Sequence, residues 1–234
     1  MTGEHSAWLV CFPLEHTGLP PVDEWRACML KLYFSPGSCS QASHIALEEA
    51  GAVYEAERID FGKQQQRAPE FLRLNPKGRV PALVTDRGVI TESPAILAYI
   101  GQSFAGTPIG VPQDPFEFAR IQSFNAYLCS TVHVAHAHKR RGSRWADDPA
   151  VIEAMTLKVA SNMSECFDLI ETTMFSGPWV MGETFSIADP YLFTFTSWLE
   201  GDGVDPRRFP KVYEHSLRMA ERPAVKKVLS VTGG

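Results

Sequence analysis

"LKLYFSPGSCSQASHIALEEAG", Leu30 to Gly51, is the stretch on which the fold turns. "LKLYF" has the pattern of a short strand, and "SPGS" is a turn punctuated by Pro36 and Gly37. Ala42, Ile45, Ala46 and Ala50 then share one face of a helix that Gly51 ends. The turn sets Cys39 at the head of that helix. There, bare backbone N–H groups and the positive end of the helix dipole favour thiolate, lowering the ordinary thiol pKa of about 8.5 by about one unit or more. The residue three positions on is Ala42, not a second cysteine, so Cys39 cannot close a local disulfide. A partner thiol has to come from elsewhere.

Working outward, "VYEAERIDF" alternates as a second strand, and the polar "GKQQQRAPEFLRLNPKGR" holds a short helix around Glu70 to Leu74. "VPALV" and "GVITE" are two strands joined by the hairpin signal Asp86-Arg87-Gly88. Ser93 as N-cap and Pro94 as first helical residue open the next helix. This is an α/β unit. After the Gly- and Pro-rich "AGTPIGVPQD" the strand signals stop. Helical patterns run from Pro115 to about Lys139, Pro149 to about Met174, Ser186 to about Leu199, Pro210 to about Glu221, and Pro223 to about Ser230. The expected division is an extension over residues 1–28, disordered or read from a misassigned start, an α/β domain over 29–106, a linker over 107–112 and an all-helical domain over 113–234.

Composition narrows the class. The chain has 234 residues, 44% hydrophobic and 21% charged, with a formal charge of -5 and a pI near 5.8, which excludes a general nucleic-acid binder. No apolar run approaches the roughly 20 residues that span a bilayer. Five cysteines, odd in number and scattered, indicate free thiols in a reducing, cytoplasmic setting. The short apolar "SAWLVCFPL", Ser6 to Leu14, follows Glu4 and His5 instead of basic residues and lacks a small-residue cleavage pattern, so it is not read as a signal peptide.

Four further segments carry chemistry. In "NPKGRVPALV", Pro81 stands at the start of a strand. That position fits either a trans proline on an edge strand or a cis Val80–Pro81 bond that frees the Val80 backbone to pair with an extended peptide. In "TES", Ser93 and the N–H groups behind it suit a carboxylate, and Glu92 suits an ammonium. Side by side, they match an α-amino-acid head group. "SIADPYLF" sets Ser186 and Asp189 three apart, a capping box with a structural role. "STVHVAHAHKRRGSRW" puts His133 and His136 on one helical face, too little for a metal site, and its Lys139-Arg140-Arg141 run could attract anions but is short and reads first as a solvated helix end.

Taken together, "KLYFSPGSCSQASHIALEEAG", "NPKGRVPALV", "ITESPAILAYI" and "FSIADPYLF" resemble the glutathione transferases, most of all the bacterial beta class, from Met29 to the C-terminus. The resemblance implies a thioredoxin-like domain followed by an all-α helical domain, and conjugation of glutathione, as co-substrate and without a metal, to electrophilic, mostly apolar small molecules. It also implies a homodimer with no nucleic-acid or membrane partner. Cys39 would face the glutathione sulfur, Val80 before a cis Pro81 would pair with the cysteinyl backbone, and Glu92 and Ser93 would hold the γ-glutamyl head. Lys63 or Gln65 would meet the glycyl carboxylate, and His133 would reach the thiol from the second domain as a catalytic group with Cys39. Two residues depart from the family pattern: Phe34 replaces a frequent tyrosine, and Val134 follows His133 where lysine is common. The alternatives are a glutathione-dependent thiol-disulfide reductase working through a Cys39 mixed disulfide, and a non-catalytic scaffold of the same fold.

Overall fold

The structure, a computed structural model, describes residues 30–232; the expectation for residues 1–28 lies outside them. Strand β1 (Leu30–Phe34) pairs in parallel with β2 (Tyr54–Arg58) and antiparallel with β3 (Ala82–Thr85), which pairs antiparallel with β4 (Gly88–Thr91). The sheet order is β2-β1-β3-β4. The parallel pair requires a crossover, and helix α1 (Ser40–Glu49) supplies it. Short α2 (Pro69–Leu74) and then α3 (Ser93–Ser103) complete this part.

The alternation in "LKLYF" assigns its two faces. Leu32 and Phe34 enter the main core, while Tyr33 turns to a smaller cluster with Ile59, Phe71 and Val80. The loop that ends α1 needs a left-handed residue, and Gly51 provides it at φ +63°. Arg222 donates to both Glu49 carboxylate oxygens, from Nε at 2.5 Å and Nη2 at 2.6 Å, tying the end of α1 to the last helices of the chain.

The rest is helical: α4 (Pro115–Tyr127), α5 (His133–Arg141), α6 (Pro149–Leu169), α7 (Ala188–Thr196), α8 (Pro210–Ala220) and α9 (Pro223–Thr232). The α/β part and the helical part together form the expected thioredoxin-like plus all-α architecture. Asp114 and Asp148 cap α4 and α6 by accepting from Glu117 N–H at 2.9 Å and Ala150 N–H at 2.8 Å. Between α4 and α5 the chain widens to π-type bonding over Leu128–Val132, a local departure that re-aims the side chains next to it. No helix among the described residues is long and apolar enough to cross a membrane.

Helix α1 lies between the sheet and the helical part, with Ser40 through Leu47 all buried. Helix α7 packs on it and is itself buried from end to end. The start of α7 is set by Asp189, whose carboxylate accepts from Val180 N–H at 2.8 Å, Ser186 N–H at 2.7 Å and Ser186 Oγ at 3.1 Å. His215 Nε2 of α8 meets the same carboxylate at 3.0 Å, and both residues are fully buried. The capping box of Ser186 and Asp189 is thus extended by a histidine from another helix.

Removing one member of a buried charged network leaves the others unpaired, at a cost of about 3–5 kcal/mol. Asp189→Ala is expected to lower the unfolding free energy measured by urea denaturation by an amount in that range. A loss below about 1 kcal/mol would deny Asp189 its role in setting α7.

Candidate functional site

The α/β and helical parts meet across a cleft of about 800 Å³. Cys39, Val80, Pro81, Glu92 and Ser93 line it from one side, and His133 and Trp198 from the other. Cys39, Val80, Pro81, Glu92, Ser93 and His133, far apart in sequence and expected at the site, are brought to one place. Ser186 and Asp189 stay in the helical core. The indole N–H of Trp198 donates to Gly37 O at 3.1 Å, so the helical wall is pinned to the turn before Cys39.

The Val80–Pro81 bond is cis. Cys39 Sγ donates to Val80 O at 3.5 Å. The expected thiolate is not what this setting favours: burial on the cleft floor pushes the Cys39 thiol up to about 11, only partly offset by the Ser93 hydroxyl. The helix N-terminus does not rescue it, because the Cys39 side chain makes no capping bond. The first N–H groups of α1 go to Ser38 instead, Ser40 N–H to its Oγ at 3.3 Å and Gln41 N–H to its carbonyl at 3.1 Å.

Ser93 also departs from the N-cap role expected of it. Helix α3 begins at Ser93, and the capping position falls on Glu92, held at φ +74°. That left-handed conformation is costly for a residue with a side chain, by about 1–3 kcal/mol, and such positions cluster at ligand sites. Ser93 is therefore free to face the cleft, where its hydroxyl meets both Cys39 and Tyr191. The Glu92 carboxylate is not vacant: Lys77 Nζ pairs with it and also donates to Thr91 Oγ1 at 2.7 Å.

His133 follows the π-type turn and packs edge-on to Phe195 at 5.6 Å. Burial, then the charges of Arg141, His136, Arg79 and Arg144, push it down to about 4. It is a neutral imidazole at pH 7, able to accept a hydrogen bond. His136 is committed elsewhere: its Nδ1 meets Asp202 Oδ2 at 2.6 Å and its ring stacks on Trp198 at 4.3 Å. His138 sits edge-on to Trp145. Among the described residues no group of three or more His, Cys, Asp or Glu is placed to hold a metal ion.

Lys63 and Gln65 do not line the cleft. Lys63 lies exposed in the loop after β2, and Gln65 Oε1 accepts from Asp60 N–H at 2.8 Å. Their neighbours Gln66 and Arg67 line it instead. The offset comes from the turn at Gln64, which takes φ +54° and redirects the side chains after it. Tyr191 and Trp198 were not singled out from sequence, since both sit in apolar helical runs. Lys139, Arg140 and Arg141, read as a solvated helix end, line the cleft as well.

The sequence profiles of the glutathione S-transferase N-terminal and C-terminal domains match residues 29–102 and 131–223. The glutathione S-transferase GstA of Escherichia coli O157:H7 is 29% identical over 206 residues, 87% of this chain and 99% of that protein. A solved structure of a glutathione transferase homolog from Sulfitobacter with bound glutathione is 45% identical, with a TM-score of 0.85 over 88% of this chain and 99% of the other. The beta class glutathione S-transferase of Sphingomonas chungbukensis is 32% identical, with a TM-score of 0.75 over 87% and 98%.

A thiol whose pKa is pushed to about 11 gains reactivity tenfold per pH unit until that value is passed, since only thiolate alkylates. Peptide-resolved iodoacetamide labelling of the ligand-free protein is expected to show Cys39 still accelerating between pH 8 and 10. A plateau below pH 8 would contradict the burial effect.

Proposed function

The chain belongs to the glutathione S-transferase family, and from that premise we propose that its cleft holds glutathione with the cysteinyl sulfur at Cys39 and transfers that sulfur to an electrophilic small molecule. The Val80 backbone pairs with the cysteinyl residue. Ser93 and the N–H groups at the start of α3 take the γ-glutamyl carboxylate. Glu92 takes the ammonium, exchanging or sharing its bond to Lys77. The glycyl carboxylate goes to Arg67 and Gln66, whose places in the cleft support the reassignment from Lys63 or Gln65.

One observation carries the choice of chemistry: Cys39 Sγ stands at the cleft as a donor, 3.5 Å from Val80 O, and burial pushes its pKa up. A protonated thiol is a poor nucleophile but a hydrogen-bond donor. Given an arriving glutathione sulfur, the two sulfurs have one proton between them. Cys39 keeps it, since a second negative charge alongside raises its pKa further. Its S–H, turned from Val80 O to the glutathione sulfur, then stabilises the thiolate; the neutral His133 imidazole accepts a hydrogen bond from the incoming thiol, and the proton that glutathione gives up leaves to solvent. The thiolate attacks the electrophilic carbon, a C–S bond forms, and the leaving group departs with its electron pair. A reductase acting through a Cys39 mixed disulfide would need the opposite ionisation, with the protein sulfur as thiolate. We further place the protein in the cytoplasm as a homodimer with a detoxifying role, on the strength of family membership and of scattered cysteines that include free thiols at Cys39, Cys129 and Cys166.

Hydrogen bonds to charged groups contribute about 1.5–3 kcal/mol. Cys39→Ala is therefore expected to lower kcat/KM for glutathione with 1-chloro-2,4-dinitrobenzene by about 10- to 100-fold. Cys39→Ser keeps a donor and is expected to recover part of that loss. A glutathione adduct on Cys39 by intact-mass spectrometry, with disulfide reduction abolished in Cys39→Ser and aryl conjugation untouched, would instead establish the reductase. Arg67→Gln is expected to raise the KM for glutathione while leaving kcat within about threefold, because a glycyl contact serves ground state and transition state alike.

A further inference from the structure

The cleft is cationic in a chain whose formal charge is -5. Arg67 and Arg79 line it from the α/β side, and Arg140, Arg141 and Arg144 from the end of α5 and the turn after it. None of the five guanidinium groups has an ion pair or side-chain hydrogen bond among the described residues. The carboxylates at the cleft are already engaged, Glu92 by Lys77, and Asp202 by His136 at 2.6 Å with Lys139 at 3.5 Å.

The guanidinium groups act on one another across the cleft. Arg144 is held below the ordinary guanidinium range by burial and then by Arg141, Arg79 and Arg67, and His133 is pushed down partly by Arg141, Arg79 and Arg144. Arg67 lies close against the backbone at Gly78, where an added Cβ would meet Arg67 Nη1 and Gln66 O, each at 2.9 Å. Like charges facing each other in a concave site concentrate the field and attract anions. One guanidinium can satisfy one carboxylate through two parallel bonds. Arg67 answers the glycyl carboxylate, and the surplus lies on the helical wall with Arg141 and Arg144.

We propose that Arg141 and Arg144 bind the second substrate, and that this substrate is a carboxylate-bearing electrophile, not the mostly apolar compound expected from sequence. This inference rests on the transferase function above. The carboxylate is a spectator that orients the reacting carbon. With an activated aryl chloride the glutathione thiolate forms the C–S bond, the C–Cl bond breaks, chloride leaves with the electron pair, and the carboxylate stays on the arginines.

A matched pair of probes tests it: 4-chloro-3,5-dinitrobenzoate and neutral 1-chloro-2,4-dinitrobenzene, each kcat/KM divided by the uncatalysed rate with glutathione. The full-length protein is expected to favour the benzoate by about tenfold or more at low ionic strength, the scale of one charge-assisted contact. That preference is expected to shrink as salt rises and to fall to near parity in the Arg141→Gln/Arg144→Gln double variant. Equal or greater preference for the neutral probe, a preference indifferent to salt, or one that survives in the double variant would overturn the proposal. The salt series on the unsubstituted protein decides the matter even if the double variant does not fold. Conjugation of the neutral probe alone defeats this inference and leaves the transferase function standing; conjugation of neither defeats the transferase function itself.

Discussion

Helix α1 has no free face from Ser40 to Leu47, and the rest of the structure is arranged around that constraint. A helix exposed on one side tolerates shifts in register or tilt, but one enclosed by a sheet and a helical layer does not, because cores pack at crystal-like density. Its N-terminus is therefore fixed where the two parts meet, and with it Cys39. Asp189 sets the start of α7, which covers α1, and the grip of Arg222 on Glu49 holds the far end. The cleft is the seam left open at the head of this enclosed helix.

Enclosure also sets the electrostatics of the seam. The burial that positions Cys39 keeps its thiol protonated, and the burial that positions His133 keeps its imidazole neutral. Two groups that titrate near neutral pH in water are thus kept uncharged over a wider pH range, one as donor and one as acceptor. That pairing suits stabilising a thiolate that arrives with the ligand, which carries its own charge into the site. The arginines supply the complementary field.

Much of the site was legible in sequence because each motif solves a local backbone problem. "SPGSC" has to turn a strand into a helix, "VP" has to begin a strand at a proline, and "SIAD" has to cap a buried helix. Such solutions leave residues at fixed offsets. Where no local rule operated, the reading slipped. Lys63 and Gln65 were displaced by their neighbours Gln66 and Arg67 through one left-handed residue, Gln64. Lys139, Arg140 and Arg141 passed for a solvated helix end because their approach to Arg67 and Arg79 depends on two distant segments. Trp198 carries no motif, and only the fold brings its indole N–H to Gly37 O.

The sequence by itself determined the order of elements and the α/β and helical composition of the two parts, since strand, helix and turn preferences are local. Tertiary structure alone decided ionisation and charge. The helix dipole argued for a Cys39 thiolate, yet desolvation outweighed it, and desolvation depends on what covers a group. The same holds for the arginines: a chain of net negative charge has a cationic cleft because folding gathers its positive groups from segments the sequence keeps far apart.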